Sequence, residues 1–431
     1  MLSLLVLSCA GTDPATDDTT TSSPSPSPIP ADAACTATEH PLRFSCTATL
    51  PAPAAATLTV SGPGFEHVFT DPTVATEHTI LAWGLPPETD VAFELAGKTG
   101  TFRTGALIDD LANAVIEVTG EAFGFDAILQ PLACEQTWFV LIDPEGRIVW
   151  YEPSPGFASW HDGYSWSAAD RSVLSTGPDE MVEIDVSGEQ RLQLLAGFDF
   201  EGTLHHDVAR WNGFTYLLFE ELFLGKLVDG FLVFDGDMEV GRFFLGDHYS
   251  VEPQGRLDWS HANGIRPNEA GQIAMSLMAL DTVVLVDGDP ASPSFLQPLW
   301  TAVGSTEGLP YPDYVAPPEQ DEGFVGQHEA SYDGTSLWLF DNLSEPWSRG
   351  LRLALDDAAG TVTVDRSWPL TVSCPVQGGT TPVDGGVLVT CARGATITLF
   401  PEDSGEAVWT LAPGCTATTD VTTHAVPVWI D

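Results

Sequence analysis

One arrangement of residues recurs along this chain and narrows its fold more than any other feature. A polar segment bearing a histidine is followed by an apolar run, then by an apolar run that ends in Asp. H-D-G-Y-S-W-S leads to M-V-E-I-D, H-H-D-V-A-R-W to F-L-V-F-D, D-W-S-H-A-N-G-I to V-V-L-V-D, and Q-H-E-A-S-Y to L-W-L-F-D. T-T-P-V-D-G-G-V-L-V-T-C repeats the layout without the histidine. Turns of the D-G, G-D, N-G and E-G type separate the runs, and no helical period is present from about Asp110 onward. Strand-only units of ~45–65 residues bury their faces by packing side by side, which is the signature of a β-propeller. Five units begin near His161, His206, His261, His328 and Gly379. Strands before residue 155 and after Cys415 are expected to combine into one further blade, closing a six-bladed ring over residues 110–431.

Upstream, from Cys35 to Thr104, short runs such as A-T-L-T-V-S-G and V-A-F-E-L-A-G alternate apolar with polar residues. They predict a small β-sandwich over residues 35–106, so the fold class is all-β throughout. G-L-P-P-E-T-D-V-A-F-E-L resembles the approach to a late strand in fibronectin III-like domains. Residues 10–34 carry Thr, Ser, Pro and Asp without apolar periodicity, and read as a disordered tether. V-L-S-C, ending at Cys9, resembles a bacterial lipobox, which makes residues 1–9 a lipoprotein-type signal and Cys9 the lipidation site. The chain is then exported, to the periplasm or outer membrane surface of a Gram-negative bacterium. Its membrane contact is the lipid anchor alone, because no apolar run is long enough to span a bilayer. Six cysteines remain, an even number that suits disulfides in an exported protein. Cys35 and Cys46 form a natural local pair; Cys134, Cys374, Cys391 and Cys415 permit three connectivities.

Charge excludes one class of partner. Against 15 basic residues stand 61 acidic ones, a formal net of −46, and Lys98 and Lys226 are the only lysines. Such a field repels nucleic acid and anionic lipid and leaves a solvated acidic shell. No G-x-S-x-G elbow, P-loop or dinucleotide fingerprint is present.

The repeat gives the histidines a common meaning. First strands of propeller blades line the central channel, so His206, His261 and His328, at matching places in successive units, are expected to face one funnel. Asn263 and Gln327 add hydrogen-bonding groups to the same floor. Two chemistries suit such a set. The three imidazoles could hold zinc with a water completing the shell, for hydrolase or lyase chemistry, with Asp207 and Asp258 orienting the rings. Or one histidine is a nucleophile, while the others and the asparagine cradle an anion. A binding propeller without catalysis is the third reading. Trp259 and Trp338 read as packing residues, and D-G-D-P at Asp287–Pro290 as a turn rather than part of a calcium loop.

D-W-S-H-A-N-G-I, H-H-D-V-A-R-W-N-G-F-T-Y-L-L and G-Q-H-E-A-S-Y-D-G-T-S-L-W-L-F-D-N resemble, in order and spacing, signature segments of bacterial arylsulfotransferases. These are exported six-bladed propellers with an added β-sandwich. The resemblance implies transfer of sulfate from a phenolic sulfate ester to a phenol acceptor without nucleotide or other cofactor. It implies that His328 is the nucleophile, forming a sulfohistidine, and that His206 and His261 position or protonate the reacting oxygens. Asn263 and His205 would contact the substrate. The chain departs from the family at one place. Where the pattern has an arginine, after the strand that follows H-x-N, this sequence has Met278, or Ala279 with a shift of one. Arg393, in L-V-T-C-A-R-G, is the cation expected to replace it.

Overall fold

The computed structural model describes residues 32–154, 162–251, 255–305, 308–317, 323–343, 347–392, 395–415 and 424–430. The expected signal with Cys9, residues 10–31 of the tether, the unit start at His161, and Arg393 lie outside the described residues; residues 32–34, expected to end the tether, instead begin the strand Asp32–Ala37.

The fold is nearly all-β. Near the amino end a long hairpin, Phe44–Gly62 with Phe65–Ala82, forms the spine of a five-stranded antiparallel sheet. The first part of Phe44–Gly62 pairs with Asp32–Ala37; its later part pairs with Asp90–Leu95, which pairs with Lys98–Arg103. Register shifts between Thr49 and Ala56 separate the two parts. Alternation in F-S-C-T-A turns Phe44, Cys46 and Ala48 inward, as a half-buried strand requires. This sheet does not stand apart. Leu58, Val60, Trp83 and Leu85 share one apolar core with Leu129, Phe139, Trp150 and Ile430 of the following sheets. Cys35 and Cys46 are opposite one another in the register and disulfide-bonded, as expected.

The rest is a succession of antiparallel four-strand runs, a propeller-like arrangement. Gly163–Ser167, Thr203–Trp211, Ala262–Pro267, His328–Tyr332 and Gly379–Val383 are the first strands of five of them, close to the expected starts. The two-residue strand Tyr314–Val315 links the Ala262 and His328 runs edge to edge into one nine-stranded sheet. Val426–Val428 pairs with Ala127–Ala133, so the two ends of the region build one sheet together. In addition, Val115–Gly120 adds to the outer edge of the preceding run by pairing with Trp409–Gly414. Cys134–Cys415 bridges these same ends over a separation of 281 residues, and Cys374–Cys391 is the third disulfide.

Middle strands such as T-Y-L-L-F and V-V-L-V are buried on both faces because each sheet is covered by its neighbours. The Asp that ends them does turn chemistry. Asp185 accepts the N–H groups of Ser187 and Glu189, and Asp287 accepts Asp289 N–H and the Ser292 and Ser294 hydroxyls.

First strands lie beside one another around the channel. Three of them are bulged: the register shifts between Leu204 and Val208, Ala262 and Gly264, and His328 and Ser331. Beside each bulge a non-glycine residue takes positive φ: His206 at 58°, His261 at 44° and Glu329 at 52°. Such backbone costs on the order of 1 kcal/mol per residue and persists where the surroundings demand a particular side-chain direction.

Candidate active site in the channel

His328 is 4% exposed and opens the strand His328–Tyr332. Its Nδ1 lies 2.7 Å from Asn342 Oδ1 and 3.2 Å from Gly326 O. Both partners are acceptors, because the Asn342 amide nitrogen donates to Cys374 O and Gln377 O. Nδ1 therefore carries the proton, and Nε2 keeps the lone pair. Gln377 N–H approaches that Nε2 at 3.3 Å. Burial, opposed by the Asn342 bond and reinforced by nearby His261, lowers the His328 pKa to about 4. The ring is a neutral base with one fixed tautomer at pH 7.

His205, His206 and His261 form a chain of imidazoles. His205 Nδ1 is 2.8 Å from His206 Nδ1, and the His206 and His261 rings meet edge to face at 5.2 Å. His261 Nδ1 pairs closely with Asp258, three residues earlier. Burial works against ionised Asp258, but its bond from His261 holds it below the usual carboxylate range. Asp229 reaches His205 Nε2 at 2.9 Å, while its other oxygen accepts Ser260 Oγ–H and Ala262 N–H.

A second cluster occupies the same strands. Arg266 donates to both oxygens of Asp207 at 2.6 Å and to Glu329 Oε2 at 2.7 Å, and its Nη2 lies 2.9 Å from His424 Nε2. Asp207 also accepts Ile265 N–H and Val208 N–H. His424 in turn lies under Tyr164, ring on ring at 4.6 Å. Burial raises Asp207, and the opposing pull of Arg266 keeps it to about 6. Glu329, equally buried, is held low by Arg266 and His424.

Several expected roles need correction. Asn263 has a structural bond that the sequence did not show: Nδ2 gives one hydrogen to Gln327 O at 2.9 Å, tying adjacent inner strands. Gln327 does not line a floor either, since its Nε2 donates to Leu277 O and Thr282 O. Asp207 orients Arg266 rather than an imidazole, whereas Asp258 does hold His261 as expected. The zinc set also fails. Among the described residues, the one group of three potential ligands whose donor atoms lie within 4.8 Å of one another is His205, Glu220 and Asp229, not His206, His261 and His328. Met278 is half-buried, and its N–H donates to His261 O, so the position where the resemblance implies an arginine does border the imidazoles. Among the described residues the channel contains one cation that the sequence did not single out, Arg266, already matched by two carboxylates. Trp259 and Trp338 are packing residues; Trp338 stacks on Trp368 at 5.8 Å.

Asn342, Asp229, Glu220, Arg266, Glu329 and His424 were not singled out from sequence. Only Asn342 carried a signal, as the last residue of F-D-N.

No family model matches the sequence, and no curated protein matches it. Among solved structures, a protein of unknown function from Bacteroides caccae is similar over 73% of this chain and 99% of its own, at 13% identity and TM-score 0.45. A streptogramin B lyase is similar over 72% and 90%, at 12% identity and TM-score 0.38. Virginiamycin B lyase from Staphylococcus aureus is similar over 70% and 99%, at 11% identity and TM-score 0.38. At these TM-scores none of the three likenesses says anything about what this chain acts on.

Proposed function

We propose that this chain transfers a sulfuryl group between phenols through His328, on a six-bladed propeller that carries a small β-sandwich. The observation that carries this reading is the Asn342–His328 bond, which presents a neutral Nε2 as the nucleophile. Nε2 attacks the sulfur of an aryl sulfate, displacing the long contact from Gln377 N–H. The S–O bond to the aryl group breaks, and its electron pair leaves on the phenolic oxygen. His261, held through Nδ1 by Asp258, is the group that gives that oxygen a proton. A second phenol then returns a proton to His261 as its oxygen attacks sulfur, and the S–Nε2 bond breaks. A general acid of this kind contributes about 100- to 10,000-fold. No cofactor enters the scheme.

The protein is further proposed to be exported and anchored through Cys9. Three disulfides fit an oxidising compartment, and no helix among the described residues is long and apolar enough to cross a membrane.

The test is incubation with 35S-labelled 4-nitrophenyl sulfate, followed by alkaline quench and peptide mapping. Label on the peptide containing His328, discharged by added phenol, is expected. Unlabelled protein with no nitrophenol release removes the transferase reading. If His328→Ala then alters ligand affinity alone, the channel is a binding site.

A further inference from the structure

Among the described residues the site shows no free guanidinium for the sulfuryl oxygens: Arg266 is matched by Asp207 and Glu329, and Met278 stands where the arylsulfotransferase resemblance implies an arginine. Beside the imidazoles lies a group with the opposite imbalance. Glu220 and Asp229 are direct partners in the register of strands Phe214–Phe223 and Lys226–Asp235, so two carboxylates project from one face of the sheet. Like charges directly opposite one another destabilise a sheet. His205 on the adjoining strand completes a set whose donor atoms all lie within 4.8 Å.

The orientation of these atoms is the second observation. His205 Nε2 and Asp229 Oδ1 face one another at 2.9 Å as an ion pair that is poorly aligned for a hydrogen bond, and the two residues are only 8% and 1% exposed. Metal–ligand bonds of about 2.0–2.2 Å set at right angles put neighbouring donors about 3 Å apart. The surroundings hold the ligands in place. Asp229 Oδ2 is fixed by Ser260 and Ala262, and His205 Nδ1 is bonded to His206, as the second nitrogen of a metal-bound imidazole commonly is. Glu220 is half-buried and accepts no protein hydrogen bond among the described residues. Burial, opposed by His205 and reinforced by Asp229 and Asp258, pushes its carboxyl up.

We propose that His205, Glu220 and Asp229 bind one divalent first-row transition cation at the edge of the histidine cluster. One nitrogen and two carboxylate oxygens suit Mn2+ or Zn2+. The site stands on its own geometry. Its role rests on the transferase reading: a bound cation would supply, beside the imidazoles, positive charge of the kind that sulfuryl transfer calls for.

The experiment is isothermal titration of the full chain, stripped with chelator, using MnCl2 and ZnCl2, with Mn2+ electron paramagnetic resonance as a second readout. One saturable ion per chain is expected. Glu220→Gln and His205→Gln should each weaken binding at least tenfold while retaining the wild-type melting transition, and His328→Ala should bind as wild type does. The proposal is overturned if the wild type takes up neither ion at one equivalent, or if both cluster variants bind as tightly as it does; the trio is then an ordinary histidine–carboxylate pair beside a spare glutamate. Should either variant fail to fold, Glu220→Asp replaces it, with the same tenfold criterion. The two readings fail separately. Metal binding without label on His328 removes the transferase and keeps the site; label without metal binding does the reverse.

Discussion

His261 and Arg266 stand at the two ends of one inner strand, and their surroundings are built on opposite terms. Around Arg266, two carboxylates, an imidazole and three runs of the ring meet in a network where each strong donor has an acceptor. Around His261, imidazoles and carboxylates crowd together, and two inner-strand histidines bend their backbone into positive φ. The first cluster is closed and holds adjacent sheets to one another. The second joins imidazoles to carboxylates, groups that take up protons and metal ions. A buried cation near a suspected active site is therefore poor evidence of anion binding until its own partners have been accounted for.

Four experiments sharpen or break that contrast. Arg266→Leu strands Asp207 and Glu329 in the interior, and breaking a buried pair from one side costs about 3–5 kcal/mol. Urea unfolding should record that loss; a change under about 1 kcal/mol would show that the network is not structural. His328→Gln is expected to do the reverse, lowering sulfuryl transfer about 1,000-fold, or about 4 kcal/mol, with little movement in Tm. Acidity gives the third. Native His328 refuses a proton until about pH 4, whereas in the unfolded chain it titrates near 6.5. The unfolded state binds more protons across that window, so stability falls as pH is lowered from 6.5 to 4, by on the order of 3 kcal/mol. The transfer rate should hold down to about pH 5, then drop as Nε2 protonates. Asn342→Asp places a carboxylate on Nδ1 and should move that acid limb upward; an unmoved limb means another group sets it. The smallest effect is for Met278→Arg, which places a cation beside His261 and, on the proposed function, should raise kcat/KM for an aryl sulfate about tenfold.

The strand content and the start of each run were legible because they rest on local patterns: apolar runs, turn dipeptides and repetition; the same repetition led to strands before residue 155 and after Cys415 sharing a blade, without showing which residues pair. The Cys35–Cys46 bridge was legible for the same reason, whereas Cys134–Cys415 depends on ring closure. The channel was harder. His206, His261 and His328 stood out as rare residues in matching places, but Glu220 and Asp229 look like ordinary polar positions within apolar strands. Their meaning comes from cross-strand register, which one-dimensional spacing does not display. Arg266 was passed over because its partners lie in three other runs, and the bond from Asn263 to Gln327 O went unseen because it joins two runs.

The pairing of Val426–Val428 with Ala127–Ala133 also sets an order of events for a chain that leaves the ribosome from its amino end. His424 and the closing strand emerge last, so the Arg266 network is incomplete until almost every residue is out. Neither this closure nor Cys134–Cys415 can form from a half-made chain, and contacts of such long range fold slowly. Oxidation that runs ahead of synthesis would therefore leave Cys134 to pair with another cysteine before Cys415 emerges.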